Sequence, residues 1–457
     1  MDPEYVKLLV KKAAKPLTTG LKRCPELSPV LFDFQRNVTE LALLRGRFAQ
    51  FLDTGLGKTL CQLEWCRHVH GDALILAPLA VADQTRRDAE TKLGIEIHHS
   101  RDGKKKRGVK ITIANYERLH LFDLSEFNAI ALDESSILKS FMGKTKQALV
   151  DGFSRTEFRS CYTATPAPND YMELGNHAEF LGIMSGSEML SRWFINDTMH
   201  FGHYRLKGHA VRPFWEWVAS WAACVEKPSD AGGDDAMFKL PPLETELHQV
   251  ESDCSQGIQD GYLIRVPEMS ATSMHREKRY SLENRVAKTL DLINATPDEH
   301  HVVWCQTNEE STLISKAIGD KCVEVTGSQP TDVKEHKLNV FGLGQVRDMV
   351  TKQSICGFGL NWQHCHHQIF PSLSYSYEEF YQAVRRSWRF GQKHAVKVDV
   401  VLADSEMPLW KTISSKRDSH DRMKEAMKYA KLEFARQSNV RLDYNPQHNG
   451  RLPKWLN

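Results

Sequence analysis

The sequence predicts an α/β protein: two tandem domains of parallel sheet flanked by helices, with an α-helical insertion in the first and a helical C-terminal extension after the second. Three observations carry this. A glycine-rich turn stands between an apolar strand and a helix near residue 55. Two series of short apolar runs alternate with polar, helix-like stretches, the pattern of a parallel doubly wound sheet. The chain has 457 residues, more than one hydrophobic core ordinarily organises.

In order along the chain, residues 1–24 read as a polar, lysine-containing lead-in. Leu31-Phe-Asp-Phe-Gln-Arg36 opens a helical pattern that runs to about Arg47. Phe48 to Leu52 reads as a buried strand and Leu60-Cys-Gln-Leu-Glu-Trp65 as a helix. Further strands are expected at Asp72–Pro78, Val109–Tyr116, Ala129–Glu134 and Arg159–Thr165. From about 176 to 225 the tryptophans 193, 215, 217 and 221, with Phe194 and Phe214, predict a packed helical insertion. Turn formers from Glu226 to Asp235 and then Leu240-Pro-Pro242 mark a linker. A second series begins around Glu246, with strands at His301–Thr307, Cys322–Val325, Val346–Thr351, His367–Phe370 and Val396–Ala403. Val286, Leu290 and Ile293 recur at helical spacing, and residues 405–440 read as basic amphipathic helix with Trp410, Ile413, Met423, Met427 and Ala430 on its apolar side. The expected boundaries are a first domain at 25–240, a second at 241–404 and an extension at 405–457.

The charge is nearly balanced, 60 Lys and Arg against 58 Asp and Glu, so contact with nucleic acid would come from local patches rather than a global basic field. No apolar run is long enough to span a membrane, and the segment after Met1 has no signal-like character. The ten cysteines lack C-x-x-C pairs and read as reduced, mostly buried thiols of a cytoplasmic protein.

The chemistry concentrates where strands end. In Phe51-Leu-Asp-Thr-Gly-Leu-Gly-Lys-Thr59, the backbone of Thr54, Gly55, Leu56 and Gly57 can aim N–H groups at a phosphate beside a helix N-terminus. Lys58 would reach the β- and γ-phosphates, and the Thr59 hydroxyl would help hold Mg²⁺. Leu52 stands where the formal phosphate-loop pattern has its first glycine. Asp133 and Glu134 end another strand, where one carboxylate can hold Mg²⁺ and its neighbour can orient an attacking water. Thr163 and Thr165, in Cys161-Tyr-Thr-Ala-Thr-Pro166, carry hydroxyls that can bond the acidic pair and relay a nucleotide-dependent shift. In the second half, Gly359 lies in Ser354-Ile-Cys-Gly-Phe-Gly-Leu-Asn361, where backbone can approach a ligand closely. Arg386 and Arg389 are three apart, a spacing that shares one face of a helix over 382–392 and could serve an arginine-finger role or form a solvated basic face.

Taken in order, these pieces resemble the motor ATPases of helicase superfamily two in their Swi/Snf-like branch, over about residues 30–404. The pieces are Phe34-Gln35, Gly55-Leu-Gly-Lys-Thr59, Leu76-Ala-Pro-Leu-Ala-Val81, Ala114-Asn-Tyr-Glu117, Asp133-Glu134, Thr163-Ala-Thr-Pro166, the glycine motif at 354–361 and Gln382…Arg389-Phe-Gly-Gln392. The last, with Arg205-Leu-Lys-Gly-His209, Phe214-Trp215 and Lys227-Pro-Ser-Asp230, is most similar to small phage-encoded DEAD-like helicases. The resemblance implies two RecA-like domains with ATP in the cleft between them. Gln35 would read the adenine edge, Lys58, Thr59 and Asp133 would hold phosphate and Mg²⁺, and Glu134 would position or activate water. Gln382, Arg386 and Arg389 would complete the nucleotide site. The acidic motif departs from the family pattern, with Ser136 in place of the usual histidine, and Trp388 stands where remodellers often have histidine.

The same resemblance implies a DNA-directed translocase or helicase, of phage or bacterial origin, that grips its strand mainly by the phosphates. Candidate contacts are the loop after Pro78, Asn115, Tyr116, Gln306, Thr307 and Ser354. Lys104-Lys-Lys-Arg107 fits either a DNA contact or a solvated hairpin. Trp362 reads as a core residue rather than a base-stacking one, and His364-Cys-His-His367 lacks the separated ligand pairs of a structural zinc site. Two other functions fit the motifs: a nucleotide-gated DNA-binding switch with slow ATPase, and an RNA-directed helicase.

Overall fold

The computed structural model describes residues 19–78, 81–139, 143–196, 204–252, 277–356 and 362–437. Two compact units make up the chain, one within Met1–Asp234 and His420–Asn457, the other within Asp235–Ser419.

The first unit is built on a seven-stranded sheet. Its strands are β1 (Arg47–Leu52), β2 (Ala73–Ala77), β3 (Ile97–His99), β4 (Ile111–Asn115), β5 (Ala129–Asp133) and β6 (Phe158–Tyr162), followed past a small hairpin of β7 (Phe194–Asn196) and β8 (Tyr204–Leu206) by β9 (Ala222–Val225). The order is β3-β4-β2-β5-β6-β1-β9, and every pairing in this sheet is parallel. β2, β4, β5 and β6 are buried along their whole length, as strands covered by helices on both faces must be. The predicted strands of this half are all present; β1 begins one residue earlier than expected, and the other four are shorter than expected where loop residues leave the ladder.

The segment 176–225 differs from an all-helical insertion. Helices Glu173–Leu181, Gly186–Trp193 and Val211–Trp221 are interrupted by the β7–β8 hairpin and followed by β9, which pairs with β1 at the sheet edge. The aromatic run masks that edge strand in the sequence. Its residues Ala-Ala-Cys-Val are short and apolar and leave no alternation to read. Trp193, Phe214, Trp217 and Trp221 are buried against one another, with Trp193 and Trp217 ring centroids 4.5 Å apart, so this region is packed core, as expected. Short β3 is a further strand that the sequence pattern did not reveal.

The second unit holds a six-stranded sheet of β10 (Leu243–Val250), β11 (His301–Cys305), β12 (Cys322–Val325), β13 (Asp348–Lys352), β14 (His367–Phe370) and β15 (Val396–Ala403). Its order is β10-β15-β14-β11-β13-β12, again all parallel. The whole is an α/β fold of two parallel sheets flanked by helices, the arrangement of RecA-like domains. Trp362 packs in the second core, stacked with Trp304 at 5.7 Å, which removes it from any base-stacking surface.

The helix Leu282–Ala295 buries Arg285 along with Leu282, Thr289, Leu292 and Ile293. The Arg285 guanidinium contacts Glu310 and lies 3.4 Å from Glu406, and both carboxylates are buried. The last helix, Met407–Gln437, is a single element. Ile413 joins the core of the second unit, whereas Met423 and Met427 join that of the first. Ala430 and Gly359 fall among residues whose side-chain environment or placement lies outside the described set. Among the described residues no helix is long and apolar enough to cross a membrane, and eight cysteines are free thiols.

Candidate active site of the first unit

The strand order brings the chemistry together. β1 is followed at its carboxyl end by the glycine-rich loop, β6 by Thr163, and β5 by Glu134. Because β5, β6 and β1 are neighbours in that order, all three motifs lie side by side at one edge of a parallel sheet.

Leu52 is the final residue of β1 and pairs with Val225, so the loop proper starts at Asp53. Gly55 and Gly57 have φ of 91° and 77°, the left-handed region that glycine enters without strain. An added Cβ at Gly57 would also lie 2.3 Å from Gln35 Nε2, so a side chain there would displace the Gln35 amide from the loop. Gly57 caps the helix Lys58–His68, whose N-terminal N–H groups and partial positive charge face the loop. Lys58 Nζ donates to Leu52 O at 3.1 Å, which folds the lysine back over the loop. Gln35 is buried and braces the same loop: its amide donates to Leu56 O at 2.8 Å and accepts from Phe32 N at 2.9 Å.

At the end of β5, burial pushes the Asp133 carboxyl well above its ordinary range and the charge of Glu134 adds to this, while Lys58 is close enough to pull it down. A cation at this point would relieve the same repulsion, so a buried carboxylate within reach of the Lys58 charge is of the kind that could hold Mg²⁺. Glu134 has φ 51°, the one non-glycine residue with positive φ among those described. Strain of that kind marks a side chain whose direction matters. The Thr163 hydroxyl donates to Glu134 Oε2 at 3.3 Å and accepts from Thr165 N at 3.1 Å, so the two threonines form a hydrogen-bonded chain behind the acidic pair.

Three contacts at this site carry no sequence signal. Tyr116 is buried, and its phenol donates to Asp133 O at 2.7 Å. His177, from the helix Glu173–Leu181, places Nε2 3.1 Å from the Ser135 hydroxyl and Nδ1 3.3 Å from Glu173 O. Burial lowers this histidine to about 4, so it is neutral, donating from Nδ1 and accepting from Ser135. Lys424, from the last helix, lies 3.6 Å from Asp53 at the head of the loop and 3.3 Å from Glu226.

The sequence-predicted nucleic-acid contacts divide by exposure. Ser354 is exposed, and Pro78 and Gln306 are half-buried. Asn115 and Tyr116 are buried. Gln306 donates to Gln353 at 2.9 Å, and the Thr307 hydroxyl caps the helix Asn308–Ile318. In the basic stretch 104–107, Lys105 pairs with Asp72 at 2.8 Å and Lys106 with Glu96 at 2.5 Å.

The expected helix over 382–392 is a correction. The helix Tyr377–Val384 ends before the arginines, and 385–391 form turns and a bend. The Arg386 carbonyl accepts from Trp362 N at 3.0 Å instead of a helical N–H, and Arg385 stacks between the Tyr381 and Trp388 rings at 5.1 and 4.3 Å. Arg386 is buried, its guanidinium donating to Gln382 O at 2.9 Å and Gln382 Oε1 at 3.0 Å, so it belongs to no solvated basic face.

In comparison with known families, residues 284–391 match the family described as the helicase conserved C-terminal domain. The matched span runs through β11, β12, β13 and β14 to the Gln382–Gly391 motif. A helicase-type, nucleic-acid-dependent motor function goes with that domain. No curated protein matches the chain.

Proposed function

We propose that this chain, with its helicase conserved C-terminal domain, is an ATP-driven DNA translocase or helicase of superfamily two, in the Swi/Snf-like branch and of phage kind. The observation that carries the reading is the alignment of the loop 53–59, Asp133-Glu134 and Thr163–Thr165 on three adjacent strand ends of the first sheet. Thr54 to Thr59 would cradle the phosphates, with Gln35 at the adenine. Thr59 and Asp133 would hold Mg²⁺, whose charge offsets that developing on the β- and γ-oxygens. Glu134 would orient water, steered by its left-handed backbone and by Thr163. Gly359, Gln382, Arg386 and Arg389 are proposed to act on the nucleotide from the second domain, and Pro78, Asn115, Tyr116, Gln306, Thr307 and Ser354 to serve the nucleic-acid path. We assign residues 25–240 and 241–404 as the two motor domains and 405–457 as an extension.

The test is nucleic-acid-stimulated ATP turnover, measured in parallel with DNA and RNA. Strong stimulation by DNA supports the motor. Nucleotide-dependent DNA binding without stimulated turnover would make the chain a switch, and stimulation by RNA alone would redirect it to RNA.

A further inference from the structure

The amino-terminal edge of the second sheet, opposite the strand ends that carry the motor motifs, holds a row of buried imidazoles and carboxylates. In the parallel register His301 lies between Asp348 on β13 and His367 on β14. His367 lies opposite Lys397 on β15, and Asp399, two residues on, shares the face of Lys397. Asp348, His301, His367 and Asp399 therefore line up across four neighbouring strands, and all four are buried.

Each imidazole is held from one side by an aspartate. His301 Nδ1 is 2.8 Å from Asp348 Oδ1, and His367 Nε2 is 2.6 Å from Asp399 Oδ2. A carboxylate only accepts, so the ring proton sits on the nitrogen facing it. The other nitrogens, His301 Nε2 and His367 Nδ1, then carry lone pairs, and these converge. Thr296 Oγ1 is 2.8 Å from the first and 3.3 Å from the second, and Glu299 Oε2 is 3.3 Å from the second. The ligand atoms of Glu299, His301 and His367 all lie within 4.8 Å of one another. Two imidazole nitrogens thus face one hydroxyl proton, for which Leu292 O at 3.4 Å also competes, and Glu299 brings a further acceptor to His367. A cation completes the account.

We propose that Glu299, His301 and His367 bind a divalent transition metal of the zinc class, with Thr296 or a water in the fourth position. The donor set is two imidazoles and a carboxylate. Its 3.3 Å separation between Glu299 and His367 fits the edge of a tetrahedron around an ion with bonds of about 2.0–2.1 Å. Asp348 and Asp399 supply the outer hydrogen bonds that fix tautomer and ring orientation in such centres. The Glu299 side chain is 37% exposed, which gives the ion a way in. The adjoining group of Glu246, His248 and Asp399 is of another kind, because Lys397 Nζ already sits 3.2 Å from Asp399 and 3.8 Å from Glu246. No four-residue motif announces the centre: its ligands come from the turn between the helix Leu282–Ala295 and β11 and from the starts of β11 and β14, and of His364-Cys-His-His367 only the last residue takes part. Its task would be to clamp those elements.

The test uses the full chain, stripped with a chelator and titrated with zinc against a chromophoric competitor. One zinc per chain is expected. Glu299→Gln, on the solvent side, should weaken binding at least tenfold while leaving circular dichroism unchanged. Asp348→Asn should weaken it by about 10–100-fold, the range for outer-sphere partners. Cobalt in place of zinc should give a tetrahedral visible spectrum without a thiolate charge-transfer band, since Cys365 is outside the donor set. Zinc should also raise the melting temperature of the unaltered chain but not of Glu299→Gln. Absence of retained zinc would overturn the proposal and leave a proton or a water to satisfy these atoms. So would zinc affinity unchanged from that of the unaltered chain in both Glu299→Gln and a His301→Gln variant, or a thiolate band with cobalt.

Discussion

Glutamate 134 should behave in a way opposite to almost every other position when glycine and alanine are compared there. Its φ of 51° lies in the left-handed region. For an L-residue that conformation costs roughly 1–2 kcal/mol, which glycine escapes. Glycine loses about 0.5–1 kcal/mol more than alanine in chain entropy on folding. The difference leaves Glu134→Gly more stable than Glu134→Ala by about 0.5–1 kcal/mol. Both variants lose the same hydrogen bond from Thr163 and the same repulsion with Asp133, so those contributions cancel. Urea unfolding at constant pH measures the gap, provided the two variants share one m-value. In melting temperature it amounts to about 1–4 °C for a unit of this size. Turnover should be lost in both and in Glu134→Gln, while a fluorescent ATP analogue still binds all three, because the loop 53–59 is untouched. If alanine proves as stable as glycine, the left-handed backbone is not a feature of the folded protein. If Glu134→Gln hydrolyses ATP at the unaltered rate, the glutamate does not orient water.

Arg285→Ala strands Glu310 and Glu406 in the second core and should cost about 3–5 kcal/mol in chemical denaturation, with part of the loss recovered when both glutamates are also changed to glutamine. His177 is held neutral, at about 4 against an ordinary 6.5, so its contribution is complete above pH 6.5 and is lost as pH falls toward 4. Between pH 7.5 and 5 the first unit should lose about 2 kcal/mol from this source. A His177→Asn variant followed over the same range should lack that slope. Arg389→Ala should cut DNA-stimulated hydrolysis by up to about 10³–10⁵, with a smaller effect on nucleotide binding, whereas Lys58→Ala should lose binding as well; normal stimulated hydrolysis in Arg389→Ala would remove it from the reaction.

Much of the fold and the position of the candidate site is legible in the sequence. The loop 53–59 announces itself because its signal is local: an apolar strand, two glycines and a helix within a score of residues. The acidic pair and the threonine pair announce strand ends for the same reason, since a fully buried parallel strand reads as an unbroken apolar run that stops where polar residues begin. What the runs do not encode is which strand lies beside which. β1 and β2 follow one another in sequence yet stand two strands apart, with β5 and β6 between them, and that order alone brings Asp133, Thr163 and the phosphate loop to one edge. Pairing across a parallel sheet is settled by long-range packing, because each crossover passes through a helix and leaves no turn to read. The same physics hides His177 against Ser135, the left-handed backbone of Glu134 and the edge strand β9 behind its tryptophans. It also hides the convergence of Glu299, His301 and His367, residues separated by up to 68 positions in the chain and joined only by register.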